Sequence, residues 1–154
     1  NIKGIYAIGD VNARQMLAHA ATFQGFRAVN HIIGKQDNIR LDIMPSAIFT
    51  YPEAASVGKT EDQCKEAGIP YTTRKGFYRS NGKALSMGET EGMIKILIGK
   101  DGLILGGHAY GSHSADLIQE LSALMNRDIK LEEICDIIHI HPTLSEILQD
   151  TLIG

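Results

Sequence analysis

His141 and Glu146 lie at the two ends of the run His141-Pro142-Thr143-Leu144-Ser145-Glu146, which sets an imidazole and a carboxylate close together across a proline. Histidine changes protonation near neutral pH. A carboxylate on its second ring nitrogen fixes the tautomer and stabilises the imidazolium formed when the ring takes a proton. That is the wiring of an acid/base dyad. The same run also reads as a plain element boundary, with Thr143 or Ser145 capping a helix and Glu146 in its first turn. The rest of the sequence supplies no C-x-x-C pair, no glycine-rich phosphate cradle and no clear metal box. A dyad with nothing to act on points to part of an enzyme rather than a whole one.

Other candidate groups add little. His139 and His141 have the H-x-H spacing of two metal ligands on one strand face, and His108 and His113 are the residues that would complete such a site. No third ligand is tied to the pair by spacing, so no metal is assigned. His31 reads as a surface or capping group near a helix end, and Met125 with its neighbouring leucines as core or subunit interface. The two cysteines, Cys64 and Cys135, are far apart and sit in amphipathic segments, as buried thiols in a reducing compartment do.

Composition bounds the class. The chain has 154 residues, 44% hydrophobic and 21% charged, which suits one domain, or one domain with a piece of a neighbour, around a real core. A net charge of -3 with scattered basic residues offers no general attraction to nucleic acid or to an anionic membrane. The apolar stretches are short of a membrane span, and the opening residues lack a signal-peptide layout. A first residue other than methionine suggests a processed product or an excised fragment.

Several elements must position the dyad. The run Gly4-Ile5-Tyr6-Ala7-Ile8-Gly9-Asp10 reads as a buried strand opening onto a site, and residues 12–33 as one long helix with Gly34 as its C-cap. Residues 35–42 form a polar junction. Strands are expected over 47–51, 54–58 and 71–78, a helix over 61–67 with a Thr60/Gln63 capping box, and a turn over 80–83. Residues 93–98 and 103–110, joined around Asp101-Gly102, give a strong hairpin signal. Helices over 114–126, 131–138 and 144–152 complete an α+β architecture, an antiparallel β-sheet with helices packed on it, for residues 43–154. Residues 1–34 hold only one strand and one helix, too little to bury both faces of either, so they are expected to belong to a larger body or else to pack onto the second domain, the first being favoured.

Four blocks carry a more specific signal. They are Ile5-Tyr6-Ala7-Ile8-Gly9-Asp10, then Met16-Leu17-Ala18-His19, then Pro45-Ser46-Ala47-Ile48-Phe49-Thr50-Tyr51-Pro52-Glu53 with Val57-Gly58, and last His139-Ile140-His141-Pro142-Thr143-Leu144-Ser145-Glu146. In this order, and over nearly the whole chain, they resemble the C-terminal part of the dihydrolipoyl dehydrogenases, within the flavin-dependent pyridine nucleotide-disulfide oxidoreductases. Tyr51 and the stretch 110–116 depart from that family's usual wording.

The resemblance implies the end of an FAD-binding domain (1–34), a junction (35–42) and a dimerisation domain (43–154). Gly9 and Asp10 match residues at the ribityl chain of FAD, and Asp10 alone would otherwise read as a helix N-cap. Met16, Leu17, Ala18 and His19 match residues along the flavin, and would otherwise be ordinary helix packing. His141 matches the catalytic base and Glu146 the carboxylate that orients it, serving the partner subunit's redox disulfide, with a cis bond before Pro142. The implied cofactors are FAD and NAD, held by the full-length enzyme. The implied partners are a second copy of the chain, through residues 43–154, and the lipoyl domain of a 2-oxoacid dehydrogenase or glycine cleavage complex. A bacterial cytoplasm or a mitochondrial matrix is the implied location, and the fragment alone is expected to be inactive. The alternatives are a related disulfide reductase of glutathione or mercuric type, a non-catalytic dimerisation module, and a small hydrolase or metal-dependent protein using His141.

Overall fold

A computed structural model describes residues 2–154 of the chain. The chain divides into two compact units, Asn1–Met44 and Pro45–Gly154.

In the first unit the expected strand over 4–10 does not form. Ile8 is extended, but the chain then closes into a short 3-10 turn over Gly9–Asn12. A strand needs a ladder partner for its backbone groups, and among the described residues of this unit there is none. Helix α1 spans Ala18–Ile32 rather than starting at residue 12. Ala13 is left-handed, with φ 54°, and its N–H donates to the Asp10 carbonyl. Asn12 is engaged locally: its Nδ2 donates to Ala7 O (3.2 Å) and Gln24 Oε1 (2.8 Å), and its Oδ1 accepts from the Arg14 N–H (3.0 Å). Such side-chain bonds compete with helix initiation. At the far end Gly34 is left-handed and the Lys35 N–H reaches back to Asn30 O at 2.8 Å, the expected C-cap. The polar junction is tied to α1 through Asp37, which accepts from Arg27 (2.9 Å), Asn30 (3.0 Å) and the Ile39 N–H (3.0 Å). These bonds, led by Asn30, hold the Asp37 carboxyl below its ordinary range.

The second unit is a five-stranded antiparallel sheet with helices. Its strands are β1 (Ser46–Ile48), β2 (Ala54–Gly58), β3 (Tyr71–Phe77), β4 (Gly92–Gly99) and β5 (Ile104–Gly111), in the order β1-β2-β5-β4-β3. The hairpin β4-β5 turns where Asp101-Gly102 predicts, with a register shift between Leu97 and Ile98. Helix α2 (Glu61–Glu66) opens on the expected capping box: Thr60 Oγ1 accepts from the Gln63 N–H, and Gln63 Oε1 from the Thr60 N–H. Helix α4 (Ser114–Asn126) matches its predicted span. The other helices are α3 (Gly82–Met87), α5 (Leu131–Ile134) and α6 (Glu146–Ile153).

Three expectations here need correction. The strand over 47–51 ends at Ile48, and Phe49 and Tyr51 stand out in solvent before a cis Tyr51-Pro52 bond. The turn over 80–83 is instead the start of α3, because Asn81 Oδ1 accepts from the Ala84 N–H at 2.9 Å and acts as its N-cap. The helix over 131–138 stops at Ile134. Its last bonds tighten from four-residue to three-residue steps at Asp136 and Ile137, and the chain leaves the helix with Ile138 exposed.

The core lies between one sheet face and the helices α4 and α6. Ile94 and Ile96 of β4 and Val57 of β2 meet Leu117, Ile118 and Leu121 of α4 and Ile147, Leu148 and Leu152 of α6, all nearly without exposure. Burying a side chain of this size is worth about 1.5–3 kcal/mol. The approach is close enough to require glycine in the strands. A Cβ at Gly107 would collide with Leu121, and one at Gly76 with Thr151 of α6. Met125 and Cys64 are buried, and Cys135 is partly so.

Candidate active site

The dyad forms at the start of α6. Residues 135–145 have no helix or strand of their own, so side chains must hold their path. Glu146, in the first turn of α6, accepts at Oε2 from the Thr143 N–H (2.7 Å) and at Oε1 faces His141 Nδ1 (2.8 Å). The first contact ties the carboxylate to the loop backbone three residues before the helix. Neither Thr143 nor Ser145 caps the helix with its side chain: Thr143 Oγ1 donates to Ile140 O (2.7 Å), and Ser145 makes no cap bond. The boundary reading of this run therefore does not account for the carboxylate, which is turned onto the imidazole. The His141-Pro142 bond is cis.

The Thr143 N–H, and after it His141, hold the Glu146 carboxyl below its ordinary range. Glu146 is thus an ionised carboxylate at neutral pH. An ionised Glu146 accepts only, so His141 Nδ1 carries the proton and Nε2 is the basic nitrogen. The exposures divide the pair: the Glu146 side chain is 20% exposed and that of His141 is 80% exposed. The result is an outward-facing base held from behind by a fixed anion.

A residue that sequence reasoning placed in a turn braces this loop. Asn81, 3% exposed, donates from Nδ2 to the Thr143 carbonyl at 3.1 Å while its Oδ1 caps α3. Its signal was present in Ser80-Asn81-Gly82-Lys83, since asparagine before a short apolar run fits an N-cap as well as a turn.

The H-x-H pair does not converge. His139 faces Glu120 and His141 faces Glu146, while His108 Nε2 lies 3.1 Å from Lys59 O and His113 Nδ1 lies 3.3 Å from Asp116. Among the described residues no three potential ligands cluster. His31 packs edge-on against Tyr6, whose hydroxyl lies 2.7 Å from its Nδ1.

The other singled-out residues lie in the first unit. Gly9 has φ 72°, its N–H donates to Gln24 Oε1 (2.8 Å), and a Cβ there would press on Ala21 of α1 at 3.1 Å. Asp10 is exposed in the 3-10 turn rather than at a strand end. Met16 is exposed, Leu17 is the extended residue before α1, and Ala18 and His19 open the helix. No side-chain hydrogen bond caps that end, and the turn before it carries the Asp10 carboxylate. An acceptor beside an uncapped helix end fits a hydroxyl-bearing, phosphorylated cofactor such as FAD.

Residues 44–152 match the family described as pyridine nucleotide-disulphide oxidoreductase, dimerisation domain. The chain belongs to this family. It is 41% identical over 151 residues to dihydrolipoyl dehydrogenase 2, mitochondrial, of Arabidopsis thaliana, covering 97% of this chain and 30% of that protein. It is 40% identical over 151 residues to the dihydrolipoyl dehydrogenase of Bacillus subtilis, covering 97% and 32%. Among solved structures, LpdA from Mycobacterium tuberculosis superposes with a TM-score of 0.89 at 27% identity, covering 97% of this chain and 33% of that one. The flavoprotein disulfide reductase RclA from Escherichia coli, at 22% identity and a TM-score of 0.84, shares the fold. The chain thus spans about a third of the length of the relatives it matches. The expected α+β fold and dimerisation-domain family both hold.

Proposed function

We propose that the chain is the C-terminal part of a dihydrolipoyl dehydrogenase, an enzyme that oxidises protein-bound dihydrolipoamide to lipoamide with NAD+ as final acceptor. His141 is its catalytic base and Glu146 the carboxylate that orients it. The observation that carries this reading is the outward imidazole with Nδ1 fixed on Glu146, in a dimerisation domain whose relatives bear that enzyme's name. The domain organisation follows: residues 1–34 close the FAD-binding domain, 35–42 join it to the rest, and 43–154 make the dimer contact with a second copy.

His141 Nε2 takes the proton of a dihydrolipoamide thiol, and the thiolate so formed attacks a sulfur of the partner subunit's redox disulfide. The S–S bond breaks, and the departing sulfur leaves as a thiolate. His141 passes its proton to the thiolate just released and takes that of the second substrate thiol, whose sulfur attacks the substrate sulfur of the mixed disulfide; that bond breaks, the lipoamide ring closes and the enzyme's other sulfur leaves as a thiolate, so the enzyme's pair is reduced. Glu146 stabilises the imidazolium through both proton transfers, and the transfer by His141 is worth about 10²- to 10⁴-fold in rate. Gly9, Asp10, Met16, Leu17, Ala18 and His19 are the residues of this chain that would hold FAD, whose chemistry is to relay the electron pair from the enzyme dithiol to NAD+. The lipoyl domain of a 2-oxoacid dehydrogenase or glycine cleavage complex presents the substrate, in a bacterial cytoplasm or a mitochondrial matrix.

The test is His141→Ala in the full-length enzyme. Lipoamide turnover should fall by about 10²- to 10⁴-fold with the flavin absorbance intact. Unchanged turnover would refute the assignment.

A further inference from the structure

Between α5 and α6 the chain has no regular structure, and from residue 136 to 142 every side chain is exposed except that of His139. The His139 side chain is 6% exposed, against 80% for His141 two residues on. Its Nε2 lies 3.0 Å from Glu120 Oε1, and its Nδ1 lies 3.1 Å from Ile137 O. Glu120 stands on α4, which Leu117, Ile118 and Leu121 fix to the sheet.

We propose that His139 is a positioning residue for His141, a buried ring whose Nε2 meets the Glu120 carboxylate of α4 while its Nδ1 faces the Ile137 carbonyl, and which so pins the dyad loop to α4. The Glu120 carboxylate only accepts, so the proton of that contact sits on Nε2 of the ring. Gln149 of α6 adds a donor to the same Ile137 carbonyl, at 3.4 Å. Pinning matters because the two isoleucines flanking His139, Ile138 and Ile140, are 94% and 78% exposed and give the loop no apolar anchor. The inference rests on His141 being the base.

Two measurements test it. In the 154-residue chain, ¹⁵N-edited spectra should show a slowly exchanging ring proton on His139 Nε2, and Glu120→Gln should remove or weaken it. No such proton in the unsubstituted chain overturns the proposal. In the full-length enzyme, Glu120→Gln and His139→Asn should each lower kcat for dihydrolipoamide about tenfold, a fraction of the loss that an ångström of misplacement brings, with KM and the flavin spectrum nearly unchanged. Full kcat in both variants, with His141→Ala inactive, overturns the positioning role and leaves the base assignment standing. Full activity of His141→Ala overturns both.

Discussion

Asn81 is where the fold and the dyad loop share one side chain, so its two bonds can be separated by choice of substituent. Asn81→Ala removes the N-cap of α3, worth about 1 kcal/mol, and the bond to the Thr143 carbonyl, worth about another 1 kcal/mol in a buried setting. The expected loss is about 2 kcal/mol. Asn81→Ser keeps a capping oxygen and is too short to reach Thr143, so it should lose only about 1 kcal/mol. Urea denaturation of the 154-residue chain, followed by far-ultraviolet circular dichroism with the slope held common, reads both values. In thermal melts the alanine variant should fall by about 4–8 °C, roughly twice the serine variant's drop. An alanine variant within about 0.5 kcal/mol of the parent would refute the reasoning, since that is the range of an ordinary surface change. Equal losses in the two variants would refute the division between cap and brace.

The packing makes a second prediction: Gly107→Val drives a side chain into Leu121 and should destabilise the second unit by at least about 1–3 kcal/mol in the same assay. Leu121→Ala, from a fully buried position, should lose about 2–5 kcal/mol. The acid limb of stability should carry a contribution from Glu146. Its folded carboxyl titrates below the ordinary 4.5, so the stabilisation is present above that value and is lost as pH falls through the lower folded pKa. A ¹³C titration of the Glu146 carboxyl should give a midpoint below 4.5 that moves up in His141→Ala, and an unshifted midpoint in the parent would contradict the geometry.

The parts of the fold most open to sequence reading were those fixed by local chemistry. The Asp101-Gly102 hairpin, the Thr60/Gln63 capping box and the span of α4 each follow from residues within a few positions of one another. The run Gly4 to Asp10 has strand composition, yet a strand is a relation between segments, and no local pattern states whether a partner lies alongside. Residue 138 looked helical because Ile134, Ile137 and Ile138 keep a helical period. What ends α5 is a chain path set by His139 and Glu120, 19 residues apart. The dyad was legible as a spacing, whereas its outward ring and its anchored carboxylate were not, because exposure depends on how α6 seats against the sheet.

The arrangement of Glu146 explains how a ring on an exposed loop can be accurate in aim. An imidazole that takes protons from a group outside its own chain must stand in solvent, where nothing packs against it to fix its rotamer. Here the fixing is done one step back: the carboxylate that orients the ring is itself held by a backbone N–H of the same loop, and the loop carbonyl beside that N–H by Asn81 from α3. Two of these three bonds hold the loop rather than the ring, so under the proposed role the ring meets an incoming thiol without leaving its own support. On this reading Glu146→Gln is a harsher change than its size suggests. The amide must offer an oxygen to both the Thr143 N–H and the His141 Nδ1–H, and it has only one. The variant should keep the fold, lower the turnover of the full-length enzyme, and leave His141 free to sample both tautomers. Sharp, single-tautomer ring signals in that variant would place the orienting group elsewhere.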